Sequence, residues 1–242
     1  MTAPSDATLP VTTTAENGAI RVVGAPWRTG TDDNSGRTVL FHRPHVPKGT
    51  VAGEQQFRDG LTPEQVWELA AVHEAGHAVL YALAGVPVDE VRVYAHDPRP
   101  VREGEPAAAG HTLLADPVPA LPVPKFVIGL LAGQVADELW LERRSLLTPW
   151  RRLMTHVRAA GDHESILATP TAIPVAYLYG DVEPPVGWSD DIARIDPLID
   201  EARWRLETAW HLVEAVTRHL IQNAVADAET LGALIGQPTR LP

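Results

Sequence analysis

Cysteine is absent from the 242 residues. Disulfides, thiolate zinc sites, iron–sulfur clusters and Cys nucleophiles are therefore excluded, and a transition metal could be bound only by His and carboxylate. Positive charge is also scarce, with 20 Lys and Arg against 31 Asp and Glu, a net charge of −11. Nucleic-acid affinity rests on neutralising phosphates with Lys and Arg, and no dense basic run offsets the deficit, so no nucleic-acid partner is expected. Long apolar runs are missing as well. A spanning helix needs about 20 mostly apolar residues, whereas the longest uncharged candidate, Ser165 to Gly180, has 16 and is broken by Pro170 and Pro174. The opening residues have neither the basic start nor the apolar core of a signal peptide, which makes the cytoplasm the expected compartment. No internal repeat is visible, and the Gly-rich stretch Gly30 to Thr38 has five residues between its glycines and Arg37 where a P-loop needs Lys. It reads as a solvated turn.

Proline, by contrast, is abundant: 22 residues, roughly twice the usual share. The length admits one well-buried domain with extras or two small domains. Residues 1–60, rich in Thr, Pro, Gly and Asp, read as a largely disordered N-terminal arm. The remainder, 61–242, reads as one domain. Its first helix is expected at Thr62-Pro63-Glu64-Gln65, where Thr caps, Pro opens the turn and Gln65 completes a capping box. The helix should run some 20 residues, about 30 Å, to a stop at Gly85 and Pro87. The alternation in Val88 to Ala95 predicts a strand, with Gly110 to Ala115 as its partner. A second apolar helix is expected over 124–144, with Gly129 and Gly133 four apart on a face that admits close approach. Helical text follows from Trp150 to Ala160. The last third is again helical, with Asp196 as a cap and Pro197 opening a long stretch, and a short helix near Glu229 to Ile235 closes the domain.

The chemistry is concentrated in the first helix. His73-Glu74-Ala75-Gly76-His77 is an HExxH motif. Residues four apart share a helix face, so both imidazoles can bind one Zn²⁺, while Glu74 can take a proton from an activated water as general base. Ala70, Ala71, Val72, Ala75, Ala78, Val79 and Leu80 make this helix apolar nearly all round, and hence buried. Two His and a Glu in a buried helix are costly unless paired or metal-bound. A hydrolytic zinc site needs a third protein ligand, and spacing alone does not choose it.

The run VHEAGHAVL, Val72 to Leu80, resembles the zinc helix of the FtsH family of ATP-dependent zinc metallopeptidases. Val91 to Tyr94 and Gly110-His111-Thr112 resemble that family's short strands. LLAGQVADEL, Leu130 to Leu139, is similar to its Gly-Gly-Arg-Ala-Ala-Glu-Glu-Leu helix, with Gln134 and Asp137 as departures. GDVEPPVGWSDDI, Gly180 to Ile192, resembles its loop before Ser-Asn-Asp-Ile, and ETAWHLVEAVTRHLI with AETLGALI its closing helices. The resemblance covers about residues 62–236 and implies a mainly α fold with a small β-sheet, a helical zincin-like peptidase domain. It also implies His73, His77 and Asp191 as zinc ligands, with Ser189 capping the helix that presents Asp191 and Glu74 as the base. Residues 140–179 form an insertion relative to the family. They carry Gly161-Asp162-His163-Glu164, which makes Asp162 a second candidate for the third ligand. Glu138 is another, or else an acid orienting a ligand His.

The resemblance does not include the family's ATPase module or transmembrane segments. The expected function is accordingly that of a soluble, ATP-independent zinc metallopeptidase acting on polypeptide, with oligomerisation left open. A non-catalytic zinc-binding or regulatory module that kept the peptidase fold is the alternative, and a metal-dependent hydrolase of a non-peptide amide a third. Trp204 and Trp210 follow helical spacing and are expected in the core. His211 and His219 should face solvent or a partner, and the Gly104 to Gly110 loop solvent.

Overall fold

The computed structural model describes residues 12–16, 19–23, 27–31, 38–42, 61–94, 109–115, 123–148, 176–178 and 192–236, together with positions 151, 152, 155, 158, 159 and 162. Within the N-terminal arm, backbone strands occupy Thr12–Glu16 (β1), Ala19–Val23 (β2), Trp27–Thr31 (β3) and Thr38–His42 (β4). β1 pairs antiparallel with β2, and β3 with β4. β4 also pairs in parallel with Ala176–Leu178 (β7), which in turn pairs with Ile192–Arg194 (β8).

The rest is mainly helical. Helix α1, Pro63–Leu83, starts as the sequence predicts: Thr62 accepts from Gln65 N at 3.2 Å and Gln65 Oε1 accepts from Thr62 N at 2.9 Å, a complete capping box. It stops where Gly85 takes φ 81°, a left-handed conformation that suits glycine. The chain then forms strand β5, Val88–Tyr94, which pairs antiparallel with β6, Ala109–Leu114, as expected from the alternation. A third strand, β9, Val225–Asp227, joins the other edge of β5.

Helix α2, Val123–Arg143, packs along α1, and the contact is close because its facing side chains are small. A Cβ on Gly76 would lie 2.7 Å from Ala136 Cβ and 2.8 Å from the Ala132 carbonyl oxygen, so the two backbones meet there. Leu69, Val79, Leu131, Leu141, Leu206 and Leu220 are fully buried in the resulting core. Helix α1 is therefore central, flanked by α2, by the sheet and by the later helix Trp210–Asn223.

The closing helices depart from expectation in three places. The long stretch is two helices, α3 at Asp196–Thr208 and α4 at Trp210–Asn223, separated at Ala209. Thr208 Oγ1 donates to the Trp204 carbonyl at 2.9 Å, a side-chain competition with the helical backbone of the kind that bends or ends a helix. Asp196 lies inside α3 rather than capping it; the cap position is Ile195, which has no side-chain acceptor. Trp204 is not core: it is 61% exposed, because the buried stripe runs through Ala202, Leu206 and Ala209 on another face. Trp210 is buried as expected, beneath the Arg143 guanidinium. Helix α5, Ala228–Ile235, is capped by Asp227, which accepts from Thr230 N at 2.9 Å. No described helix is long and apolar enough to cross a membrane.

Candidate metal centre

The four-residue spacing of His73 and His77 puts both imidazoles on the face of α1 that meets α2, with Nε2 of one 3.2 Å from Nε2 of the other. A third atom joins them. Asp162 Oδ2 lies 3.3 Å from His73 Nε2 and 3.4 Å from His77 Nε2. Donors about 2.0 to 2.1 Å from a tetrahedral ion stand about 3.3 to 3.4 Å from one another, which is the spacing of this triangle. Among the described residues these three side chains could hold a metal ion.

The remaining ring nitrogens show how the triangle is held. His77 Nδ1 lies 2.8 Å from the Gly129 carbonyl oxygen, which can only accept, so Nδ1 carries the hydrogen. His73 Nδ1 lies 3.1 Å from Asp137 Oδ2, and again the ring nitrogen is the donor. With both Nδ1 atoms protonated, each neutral ring turns a lone pair inward from Nε2. Two lone pairs and a carboxylate oxygen then converge with no donor between them, and only a cation or captured protons make that arrangement favourable. Asp137 is fully buried and, among the described residues, its Oδ1 has no hydrogen-bond partner, so that carboxylate is engaged through the Oδ2 contact with His73.

The electrostatics agree. Burial pushes both imidazoles down, but for His73 the Asp137 and Asp162 carboxylates outweigh it and hold the ring well above its ordinary pKa. His77 is also raised, against burial, chiefly by Asp162. For Asp162, burial pushes up, yet His77 and His73 hold the carboxyl far below the usual range. These are the signs expected of a site that collects positive charge.

Two glycines of α2 make room. A Cβ on Gly133 would overlap Nε2 of both His77 and His73, so the bare Cα lies directly against the two inward-facing nitrogens. A Cβ on Gly129 would overlap the Tyr81 ring, which stacks on His77 at 6.5 Å between centroids. The glycine pair does permit close approach, although what approaches is a set of rings rather than a second backbone.

Glu74, one residue beyond His73, turns about 100° around α1 and faces the sheet. Thr112 Oγ1 on β6 lies 2.9 Å from Glu74 Oε2 and 3.3 Å from the Glu74 carbonyl oxygen. Gly110 sits against the same side chain: a Cβ there would come 2.8 Å from Oε1. The carboxylate is buried and lies near enough to raise His77 by its charge.

Of the carboxylates considered for the third position, Asp191 lies outside the described residues, as does Ser189. Asp162 is the one brought to both imidazoles. Glu138 is not with them; it faces Arg203, Thr155 and Gln134 instead. Orienting His73 falls to its neighbour Asp137, a residue that first stood out only as a departure from the resembled pattern. Asp137, the Gly129 carbonyl, Gly133 and Thr112 were not singled out as site residues; the visible signals were the four-residue spacing of Gly129 and Gly133 and, one turn further along the same apolar helix, the acid Asp137. His211 is exposed, as expected, while His219 is half-buried with Nε2 3.0 Å from the Val225 carbonyl oxygen.

No family model and no curated protein matches the chain.

Proposed function

We propose that the protein is a zinc-dependent peptidase whose metal ligands are His73, His77 and Asp162 and whose general base is Glu74. The observation that carries this reading is the convergence of three acceptor atoms at ligand spacing, one residue along α1 from a buried carboxylate. Two imidazoles and one carboxylate, with the imidazoles four apart on an HExxH helix, are a donor set that catalytic zinc uses. A bound zinc ion would supply Lewis acidity, lowering the pKa of water towards about 7 and polarising a carbonyl.

The chain's own groups perform the remaining steps. Thr112 fixes Glu74 Oε2, leaving Oε1, above the bare Cα of Gly110, to accept a proton from water. The same carboxyl then returns that proton to the departing amine. Asp137 and the Gly129 carbonyl keep both rings in the tautomer that offers Nε2. The resemblance of VHEAGHAVL to the FtsH zinc helix supports the same reading. Cleavage is proposed to act on flexible polypeptide, without a nucleotide.

The test is zinc content measured beside digestion of an unfolded protein such as casein. One zinc per chain is expected, and Glu74→Gln should keep the zinc while losing about 10²- to 10⁴-fold in kcat. A wild-type chain free of zinc after gentle purification would overturn the reading. A zinc-loaded wild type without hydrolytic activity would assign the non-catalytic module instead.

A further inference from the structure

Helix α2 carries two adjacent stripes at four-residue spacing. Gly129, Gly133 and Asp137 face the imidazoles. Gln134, Glu138 and Glu142 form the next stripe and meet a different set of partners. Glu138 is buried, and Gln134 Nε2 donates to its Oε1 at 3.2 Å. Arg203 of α3 reaches Glu138 Oε2 at 3.1 Å and Glu142 Oε2 at 2.7 Å. From the chain leading to Asp162, Arg152 reaches Glu142 at 3.2 Å. The fully buried Thr155 hydroxyl lies 3.3 Å from Glu138 Oε1 and 2.7 Å from the Arg152 carbonyl oxygen.

This arrangement does more than neutralise charge. Thr155 precedes Asp162 by seven residues, and between them Ala159 N donates to the Thr155 carbonyl oxygen at 3.0 Å, so the anchored hydroxyl lies on the short stretch of chain that ends at the third donor. The segment that delivers Asp162 to the imidazoles is therefore attached to α2 through the carboxylate adjacent to Asp137. Removing one partner of a buried charge pair leaves the other uncompensated, so Glu138 is the group on which the attachment depends; Arg152 is half exposed, and exposed pairs hold weakly.

We propose that Glu138, held by Arg203, is a positioning residue for the metal centre, its contacts with Thr155 and Arg152 setting Asp162 beside His73 and His77. The proposal rests on the metal reading of that site. It assigns adjacent residues of α2 to the two halves of the centre, Asp137 to a ring and Glu138 to the segment bearing the third ligand.

The full chain tests it with zinc alone, by competition against a chromophoric chelator, beside backbone hydrogen exchange over residues 151–162 of the metal-free protein. Glu138→Gln and Thr155→Val should each weaken zinc binding by roughly tenfold to a hundredfold, the range for groups that support a ligand. Both should speed exchange over 151–162 while leaving α4 protected, and Thr155→Ser should restore both readouts. Thr155→Val removes one hydroxyl and keeps the argument testable should Glu138→Gln fail to fold. Unchanged zinc affinity in Thr155→Val, with wild type binding zinc normally, overturns the proposal and leaves the metal reading standing. A wild-type chain that binds no zinc overturns both.

Discussion

His73 Nε2 and His77 Nε2 stand 3.2 Å apart while Asp137 engages Nδ1 of His73 and the Gly129 carbonyl engages Nδ1 of His77. Two neutral imidazoles do not choose to aim lone pairs at one another. The pairing is imposed by helix spacing and by the donors' obligations on the far side of each ring, and a cation or captured protons would relieve it.

Gly133 is the position where that relief is most easily blocked. A methyl group there would occupy the space against both Nε2 atoms. Gly133→Ala is expected to abolish stoichiometric zinc binding, although alanine favours a helix over glycine by about 1 kcal/mol. Metal analysis with circular dichroism checks this; a Gly133→Ala variant that folds and binds one zinc would contradict the geometry.

Acidity should act in opposite directions on the metal-free and zinc-loaded protein. His73 and His77 are raised above 6.5 in the folded, metal-free state. Their contribution to stability is full below the unfolded-state pKa and is lost as pH rises through the raised folded values. Asp162 is depressed by those same charged rings, so its contribution is present above 3.8, is lost as pH falls towards its lowered folded value, and also fades as the rings lose their protons with rising pH. Zinc must displace the His protons, so its affinity rises with pH. The rise in Tm on adding zinc should therefore be small at about pH 5.5 and large at about pH 8, by thermal unfolding with and without metal. A larger shift in acid would refute the assignment.

Thr112 touches Glu74 and none of the three proposed ligands. Thr112→Val, which keeps the shape and removes the hydroxyl, should lower kcat roughly tenfold, equivalent to about 1.4 kcal/mol in the barrier. Zinc content should stay unchanged, and Thr112→Ser should recover most of the loss. Steady-state kinetics with metal analysis separate this from a packing defect, which serine would not repair.

Gly76 lies where α1 and α2 come closest. Gly76→Ala would place a Cβ 2.7 Å from Ala136 Cβ and 2.8 Å from the Ala132 carbonyl oxygen. Overpacking of this kind costs about 1 to 3 kcal/mol, more than the helix propensity returns. Urea unfolding should show a lower midpoint for the Gly76→Ala variant; an equal or higher midpoint would mean that the helices separate without cost.

The elements legible in the sequence were those decided by neighbours along the chain. Thr62 and Gln65 cap α1 because the capping box closes over three residues, and β5 with β6 follows from alternation on one buried face. His73 and His77 share a face because the helix period requires it. Local rules failed where a side chain found a competing local bond, as Thr208 did at the break before Trp210. They also failed where a face was chosen by packing, as with the exposed Trp204.

By itself the sequence determined the two-imidazole pair, its placement in a buried helix and the exclusion of thiol chemistry. Only the tertiary structure decided what surrounds the pair: Asp162, 85 residues beyond His77, the orienting carboxylate of Asp137, and the glycine surface of α2. Those partners belong to other elements, and their distances depend on how closely two helices pack. The close approach of α2 at Gly76 and Gly133 turns an HExxH helix into an enclosed three-donor site.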